Sequence, residues 1–244
     1  MKLLLIDTSG AVGSVALADT EASPAILARE TLPGRTASER LVPAIKALIE
    51  RCGASLQSLS AAAVVHGPGS FTGVRVGLSA AKGLCQALGI PIVAISRLAV
   101  LAGMVPSQPD SPNPDAPAHP CIHALLDAGR GEFYYGEYSN GICLHEALLT
   151  RDEVIAAVHP CLLAEAAMVV TCEPAVAASL AELTAQLVRE PTAADALRLA
   201  LQRIQRKQFD DIASLDANYV RRTDAEIFAK PTAKRTPTHG TPAP

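Results

Sequence analysis

Residues 61–95 read AAAVVHGPGSFTGVRVGLSAAKGLCQALGIPIVAI. The apolar run from Ala61 to His66 predicts a strand buried on both faces. Gly67-Pro68-Gly69-Ser70 breaks it, and a helix is expected from about Thr72 to Leu88, stopped by Gly89. Ile90–Ile95 is the next strand and Ser96–Ala102 a short helix. Strand, helix, strand and helix in alternation predict an α/β fold with a mainly parallel sheet covered by helices.

Upstream, Lys2–Ile6 is a buried strand ending at Asp7, followed by the turn Thr8-Ser9-Gly10. Ser14–Ala18 and Ala25–Thr31 read as a second and third strand, the first connection being short enough for a hairpin. A helix is expected over Ser38–Cys52, where Leu41, Ile45, Leu48 and Cys52 form an apolar stripe with Val42 and Ile49 beside it. Thr36 with Glu39 is a candidate capping box, Pro43 belongs near the first turn or at a kink, and Gly53 is a stop.

Downstream, residues 106–120 hold six prolines and read as an irregular loop between two lobes. Ile122–Leu126 ends at Asp127, Ala128–Gly131 is a turn, and Glu132–Tyr138 alternates like a strand. This repeats the N-terminal order of apolar strand, Asp7, small-residue turn and strand, a hint of duplication. A helix at Asp152–Val158, a strand at Met168–Thr171, and helices over 175–189 and 192–207 follow. The remainder, rich in Pro, Thr and Lys, reads as a disordered tail.

Composition narrows the function classes. The 244 residues are 49% hydrophobic but only 3% aromatic with no Trp, so the core must be built from aliphatic side chains. A formal net charge of -3 supplies no global field for nucleic acid. The six cysteines form no C-x-x-C pair and read as reduced thiols of a cytoplasmic protein. The N-terminal apolar run stops at Asp7, too short for a signal peptide, and no run approaches the roughly 20 residues of a membrane span.

Asp7 and Asp127 each end a strand before a small-residue turn. Two such hairpins facing a cleft could hold a nucleotide, or each Asp could merely start its turn. The Gly-rich loop 67–75 could receive an anion at a helix N-terminus, or could serve close packing through Gly73, Gly77, Ala80, Ala81 and Gly83, the reading preferred here. It is not a Walker A loop, because no Lys-Ser or Lys-Thr follows the last Gly. The histidines 66, 119, 123, 145, 159 and 239 include no pair at i, i+4 on an expected helix, and neither a G-x-S-x-G nor an H-E-x-x-H occurs.

The ordered set IDTSG (6–10), SVAL (14–17), HGPGSFTGVRVGLSAAKGLCQALGIPIVAIS (66–96), LLDAGRGEFYYGEY (125–138) and LDANYVRR (215–222) resembles the TsaB (YeaZ) family. That family is the non-catalytic dimerisation subunit of the bacterial machinery for threonylcarbamoyl-adenosine in tRNA. The resemblance implies an actin-like, sugar-kinase-like (ribonuclease H-like) ATPase fold with a reduced C-terminal lobe. It divides the chain into an N-terminal lobe over 1–105, a second lobe over 121–222 and a tail over 223–244.

It also implies vestigial phosphate loops at Asp7, Thr8, Ser9, Asp127 and Gly129. The catalytic relative TsaD carries a metal-binding His-x-x-x-His pair; the corresponding residues here are Arg97 and Leu101, neither able to ligate a divalent metal. The implied role is to bind and activate TsaD for transfer to N6 of the adenosine beside the anticodon, with a TsaE-type ATPase and a TsaC-type enzyme as further partners. Alone, the chain is expected to pair with itself.

The dimer interface is expected on the two long helices, at Leu41, Ile45, Leu48, Cys52, Arg75, Gly77, Ala80, Ala81 and Leu84. Leu48→Glu or Ala80→Arg is then expected to abolish pairing with a folded monomer. No cofactor is expected to bind tightly to the isolated chain, with ATP and Mg²⁺ acting through the complex. Arg221, Arg222, Lys230, Lys234 and Arg235 could meet tRNA or be ordinary solvated charges. The alternatives are a metallo-glycoprotease or small ATP-dependent enzyme of the same fold, and a self-associating structural protein.

Overall fold

A computed structural model describes residues 1–33, 36–105, 121–163 and 167–220. The expected loop over 106–120, the tail over 223–244 and the basic residues from Arg221 onward lie outside the described residues.

The first sheet is built from β1 (Lys2–Asp7), β2 (Gly13–Asp19), β3 (Ile26–Leu32), β4 (Leu59–Val65) and β5 (Ile92–Ile95), in the order β3-β2-β1-β4-β5. The β1–β2 and β2–β3 pairs are antiparallel, and β1–β4 and β4–β5 parallel. Each parallel step needs a crossover, supplied by α1 (Ala37–Arg51) before β4 and by α2 (Phe71–Leu88) after it. The apolar run of β1 is buried on both faces. Leu4 and Ile6 join the core under α1 and α2, and Leu3 and Leu5 the core on the opposite side.

The second sheet contains β6 (Cys121–Gly129), β7 (Glu132–Ser139), β8 (Ile142–Thr150), β9 (Ala167–Thr171) and β10 (Gln186–Leu187), in the order β10-β9-β6-β7-β8. Its pairings match those of the first sheet strand for strand, with β6 in the place of β1. The hint of duplication in the two Asp-ended strands is therefore a shared topology. It is the arrangement expected of the actin and sugar-kinase class of folds.

One helix joins the two sheets. α3 (Arg97–Ala102) puts Leu98, Leu101 and Ala102 into a core with Ala124, Leu126, Tyr138 and Val170 of the second sheet. Its Val100 joins the opposite core, on the first sheet. α4 (Arg151–Leu163) and α5 (Pro174–Ser179) cover the far face of the second sheet through Val154, Val158 and Val176.

Chain order and spatial order part after residue 190. The 3-10 turn Ala193–Ala196 and α6 (Leu197–Gln205) return to the first sheet, where Ala193, Ala196, Leu199 and Ala200 pack beside Leu3 and Leu5. Asp210 accepts from Ala94 N at 2.7 Å, and Asn218 N donates to His66 O at 2.8 Å. Residues 193–220 thus pack largely with the N-terminal sheet, while Asn218 Nδ2 also donates to Glu146 of β8 at 2.8 Å.

The two long helices lie where the sequence places them, to within a residue or two. Thr36 does not form the expected capping box; its hydroxyl donates to Pro33 O at 2.7 Å. The helix expected over 175–189 ends at Ser179, where Leu180 leaves helical geometry; a 3-10 turn over Ala181–Leu183 closes on left-handed Thr184, and the chain then extends to lie beside β9. The helix expected over 192–207 starts at Leu197, after a 3-10 turn closed by Thr192 and Asp195.

α2 lies against the β1–β2 turn at distances only glycine permits. A Cβ on Gly73 would stand 2.0 Å from Thr8 O, and one on Gly77 would stand 2.3 Å from Thr8 Oγ1. A Cβ on Gly83, in the same helix, meets nothing within 4 Å. Gly73→Ala is therefore expected to lower the unfolding free energy by about 1–3 kcal/mol through overpacking. Gly83→Ala is expected to raise it by about 0.5–1 kcal/mol through helix propensity. Urea melts of the two variants check the opposite signs.

His123 is fully buried in β6, its Nδ1 2.8 Å from the Tyr135 hydroxyl and its Nε2 without a partner. Burial lowers its pKa. The unfolded chain takes up this proton near pH 6.5, roughly, and the folded chain only at lower pH, so stability is lost as pH falls through that window. Comparing wild type with His123→Gln between pH 7.5 and 5.5 isolates the contribution. The variant's stability should fall less steeply, by up to about 1.4 kcal/mol per pH unit.

Candidate functional site

The parallel strands β1 and β4 of the first sheet and β6 of the second end around one cleft of about 870 Å³. Its lining includes Thr8, Ser9 and Gly10 after β1, Gly69, Ser70 and Gly73 at the start of α2, and the carboxylates Asp127, Glu173 and Glu190, the last lying against the Gly10–Ala11 turn. A cleft at the carboxyl ends of parallel strands is where α/β folds gather ligands.

The two Asp-ended turns differ in what they offer. The Asp7 carboxylate is buried and turned onto its own turn, accepting from Ser9 N at 2.9 Å and Ser9 Oγ at 2.6 Å. Burial raises its pKa, and the Ser9 hydrogen bonds and the Arg97 charge only offset this in part. Thr8 Oγ1 donates to Gly73 O at 2.6 Å, and Ser70 N donates to Ser9 O at 2.9 Å. Asp127 is exposed and faces the cleft; it accepts from Gly129 N at 2.8 Å, while its own N–H donates to Glu173 at 2.6 Å. Gly129 shapes that turn at φ 78° without lining the cleft. Burial also raises the pKa of Glu173.

The Gly-rich loop serves packing. Ser70 Oγ caps Gly73 N at 3.2 Å, and Val74 N is already donated to Ser70 O. A Cβ on Gly69 would stand 2.3 Å from Ser9 O. The amides of Ser70, Gly73 and Val74 are thus spent within the fold. The terminal signature braces the same loop: His66 Nδ1 lies 3.3 Å from Asp216 O, and the Arg75 guanidinium stacks on Phe71 at 3.4 Å beside Tyr219.

Arg97 begins α3, buried at the cleft wall. Its Nη2 lies 3.3 Å from Glu190 Oε1, an oxygen that also accepts from Ala11 N at 2.9 Å. Leu101, one turn on, is 0% exposed in the core between the sheets and does not reach the cleft. Among the described residues, no group of three or more His, Cys, Asp or Glu could hold a metal ion. Glu173 and Glu190 were not legible as cleft residues, since Glu190 stands 93 positions from Arg97 and no local pattern marks it.

The helix residues expected at a dimer interface divide. Leu41, Ile45, Leu48, Gly77 and Ala81 are buried in the chain's own core, and Gly77 backs onto Thr8. Their apolar stripe serves the first sheet and cannot also meet a partner, so Leu48→Glu would unfold the chain. Arg75 is exposed, while Cys52, Ala80 and Leu84 are half-buried at the helix edges. The outward face of α2 carries Thr72, Arg75, Ser79, Gly83 and Gln86, and α1 exposes Val42 at 67%.

The family model described as "TsaD: tRNA N6-adenosine threonylcarbamoyltransferase" matches residues 31–228. The "tRNA threonylcarbamoyladenosine biosynthesis protein TsaB" of Bacillus subtilis is 37% identical over 146 residues, 58% of this chain and 58% of that protein. The protein of the same description from Escherichia coli is 32% identical over 145 residues, again 58% of each. The chain thus spans less than two thirds of these curated relatives. A crystal structure of "an uncharacterized protein with similarity to peptidase YEAZ" from Pseudomonas aeruginosa superposes with a TM-score of 0.70 at 26% identity, covering 90% of this chain and 99% of that one. No helix among the described residues is long and apolar enough to cross a membrane. With its two matching sheets, its GPGSFTGVR loop and these relatives, the chain belongs to the tRNA N6-adenosine threonylcarbamoyltransferase family and stands with its TsaB (YeaZ) members.

Proposed function

We propose that this chain is a non-catalytic cytoplasmic scaffold that binds a TsaD-type subunit and activates it for threonylcarbamoyl transfer to N6 of the tRNA adenosine beside the anticodon. The observation that carries the reading is the Arg97–Glu190 pair. Where the resemblance sets a metal-binding histidine, a buried guanidinium sits in an ion pair, and its helical neighbour Leu101 is a core residue. A cation has no ligand in either.

The pairing surface in this reading is the outward face of the N-terminal lobe. Ser79 and Gly83 stand at i, i+4 with Arg75 and Gln86 on the same exposed stripe of α2, and a helix bearing small residues there lets a partner helix approach closely. Ala80 and Leu84 border the stripe, and Val42 adds an exposed apolar side chain on α1. Two helices from each partner would make a four-helix bundle, and the same surface would pair two copies of this chain when no TsaD is present. The C-terminal half, with a six-residue α5 where the first half has an eighteen-residue α2, is the reduced lobe. ATP and Mg²⁺ then act through the assembled complex with a TsaE-type ATPase, and tRNA is met there.

Gly83→Arg tests the surface, because its helix position is open and the monomer should keep its fold. The variant is expected to lose co-elution with a TsaD-type partner on size exclusion, while its circular dichroism matches wild type. Unchanged co-elution would exclude this face. Calorimetry of the wild-type chain with ATP and Mg²⁺ is expected to show no stoichiometric heat, and a tight one-to-one isotherm would favour the small-enzyme alternative.

A further inference from the structure

Glu190 lies between β10 and the Ala193–Ala196 turn, where the chain crosses back to the first sheet. One of its carboxylate oxygens, Oε1, gathers all the polar contacts at this point: Ala11 N at 2.9 Å and Arg97 Nη2 at 3.3 Å. A Cβ on Gly10 would stand 2.2 Å from that same oxygen, so the turn lies directly against the carboxylate. Arg97 is 6% exposed, its Nε has no partner, and it lines the cleft. A backbone N–H, a glycine turn and a buried guanidinium converging on one oxygen anion make the chemistry of an oxyanion site. The anion in it belongs to the chain itself.

We propose that Glu190 is a tethered anion plugging an oxyanion site formed by Ala11 N–H and the Arg97 guanidinium, a site that takes a phosphate-type oxyanion once the carboxylate is removed. Charge explains why the plug excludes a free ion. With Glu190 in place, the cleft lining carries three carboxylates, Asp127, Glu173 and Glu190, against the Arg97 guanidinium. Without it, Arg97 loses its one direct ion pair among the described residues and keeps only the longer-range attraction of Asp7 and Glu173.

The plug is also separable from the fold. Arg189 forks onto Asp195 at 2.8 and 2.5 Å, and Asp195 accepts from Thr192 N at 2.8 Å, so the crossing segment is fastened without Glu190. Glu190 is the outer member of the pair, its side chain 35% exposed against 7% for Arg97. The inference does not depend on the pairing surface, which lies on the outward face of α2.

The test titrates inorganic phosphate into wild type, Glu190→Ala and the double variant Glu190→Ala/Arg97→Met, following the Ala11 amide resonance by NMR. Glu190→Ala should bind phosphate at least about tenfold more tightly than wild type, a difference of about 1.4 kcal/mol. The double variant should return to the wild-type level. No gain in Glu190→Ala, or a gain that survives in the double variant, overturns the proposal. If Glu190→Ala does not fold, Glu190→Gln keeps the shape and removes the charge. It should gain affinity in the same direction, and no gain there overturns the proposal equally. A parallel titration with ATP separates the sources. Tighter binding of ATP than of phosphate identifies a nucleotide's terminal phosphate, equal or weaker binding identifies the free ion, and either supports the site when it requires Arg97.

Discussion

The approach of α2 to the β1–β2 turn is the contact on which the rest of the molecule depends. Gly73 and Gly77 present no side chain toward Thr8, so Gly73 meets the turn backbone to backbone, Gly77 receives the Thr8 side chain, and Thr8 Oγ1 closes onto Gly73 O at 2.6 Å. Ser70 N reaches Ser9 O from the same loop. These bonds hold the turn that encloses the Asp7 carboxylate and forms one side of the cleft. They also decide which face of α2 is left over. With Gly77, Leu78 and Ala81 committed to the sheet, Arg75, Ser79 and Gly83 must face outward.

Signals that repeat along the chain were legible, and signals that depend on folding were not. The apolar runs of β1, β4 and β5 gave a buried parallel sheet, and the glycines after β4 gave a packed loop and helix. The stripe Leu41, Ile45, Leu48 was found correctly as an apolar face, but periodicity does not say what covers it. The first sheet takes that face whole. β8 escaped because its sequence, ICLHEALLT, mixes His145 and Glu146 into an edge strand whose outer residues Ile142 and Leu144 are more than half exposed. β10 escaped because two residues carry no period at all. Glu190 could not have been found, since its partners Ala11 and Arg97 are brought to it only by the return of the chain.

The two halves share a topology but not a packing, and the difference explains the unlike fates of Asp7 and Asp127. In the first half an eighteen-residue helix covers the turn after β1. In the second, α5 has six residues, and the chain then passes through a 3-10 turn into a two-residue strand. The Asp127 turn is more open: a Cβ on Gly129 or Gly131 would meet nothing within 4 Å among the described residues. The same local sequence plan therefore yields a sealed carboxylate in one half and an open one in the other. Glu173, at the start of α5, reaches Asp127 N where the first half uses a longer helix and its loop.

α3 settles what the cleft can hold, because it serves two surfaces at once. Its first residue faces the cleft, while Leu98 and Leu101 fill the core against Ala124, Leu126 and Val170. An imidazole in place of Leu101 would be desolvated in the core between the sheets, facing away from the cleft. An imidazole in place of Arg97 would leave Glu190 without its cation beside Asp7, Asp127 and Glu173. Restoring a metal-binding pair on this helix would thus require a new packing between the sheets as well as two new side chains. The helix has been committed to joining the two halves, and the guanidinium at its start neutralises the carboxylate that the returning chain delivers there.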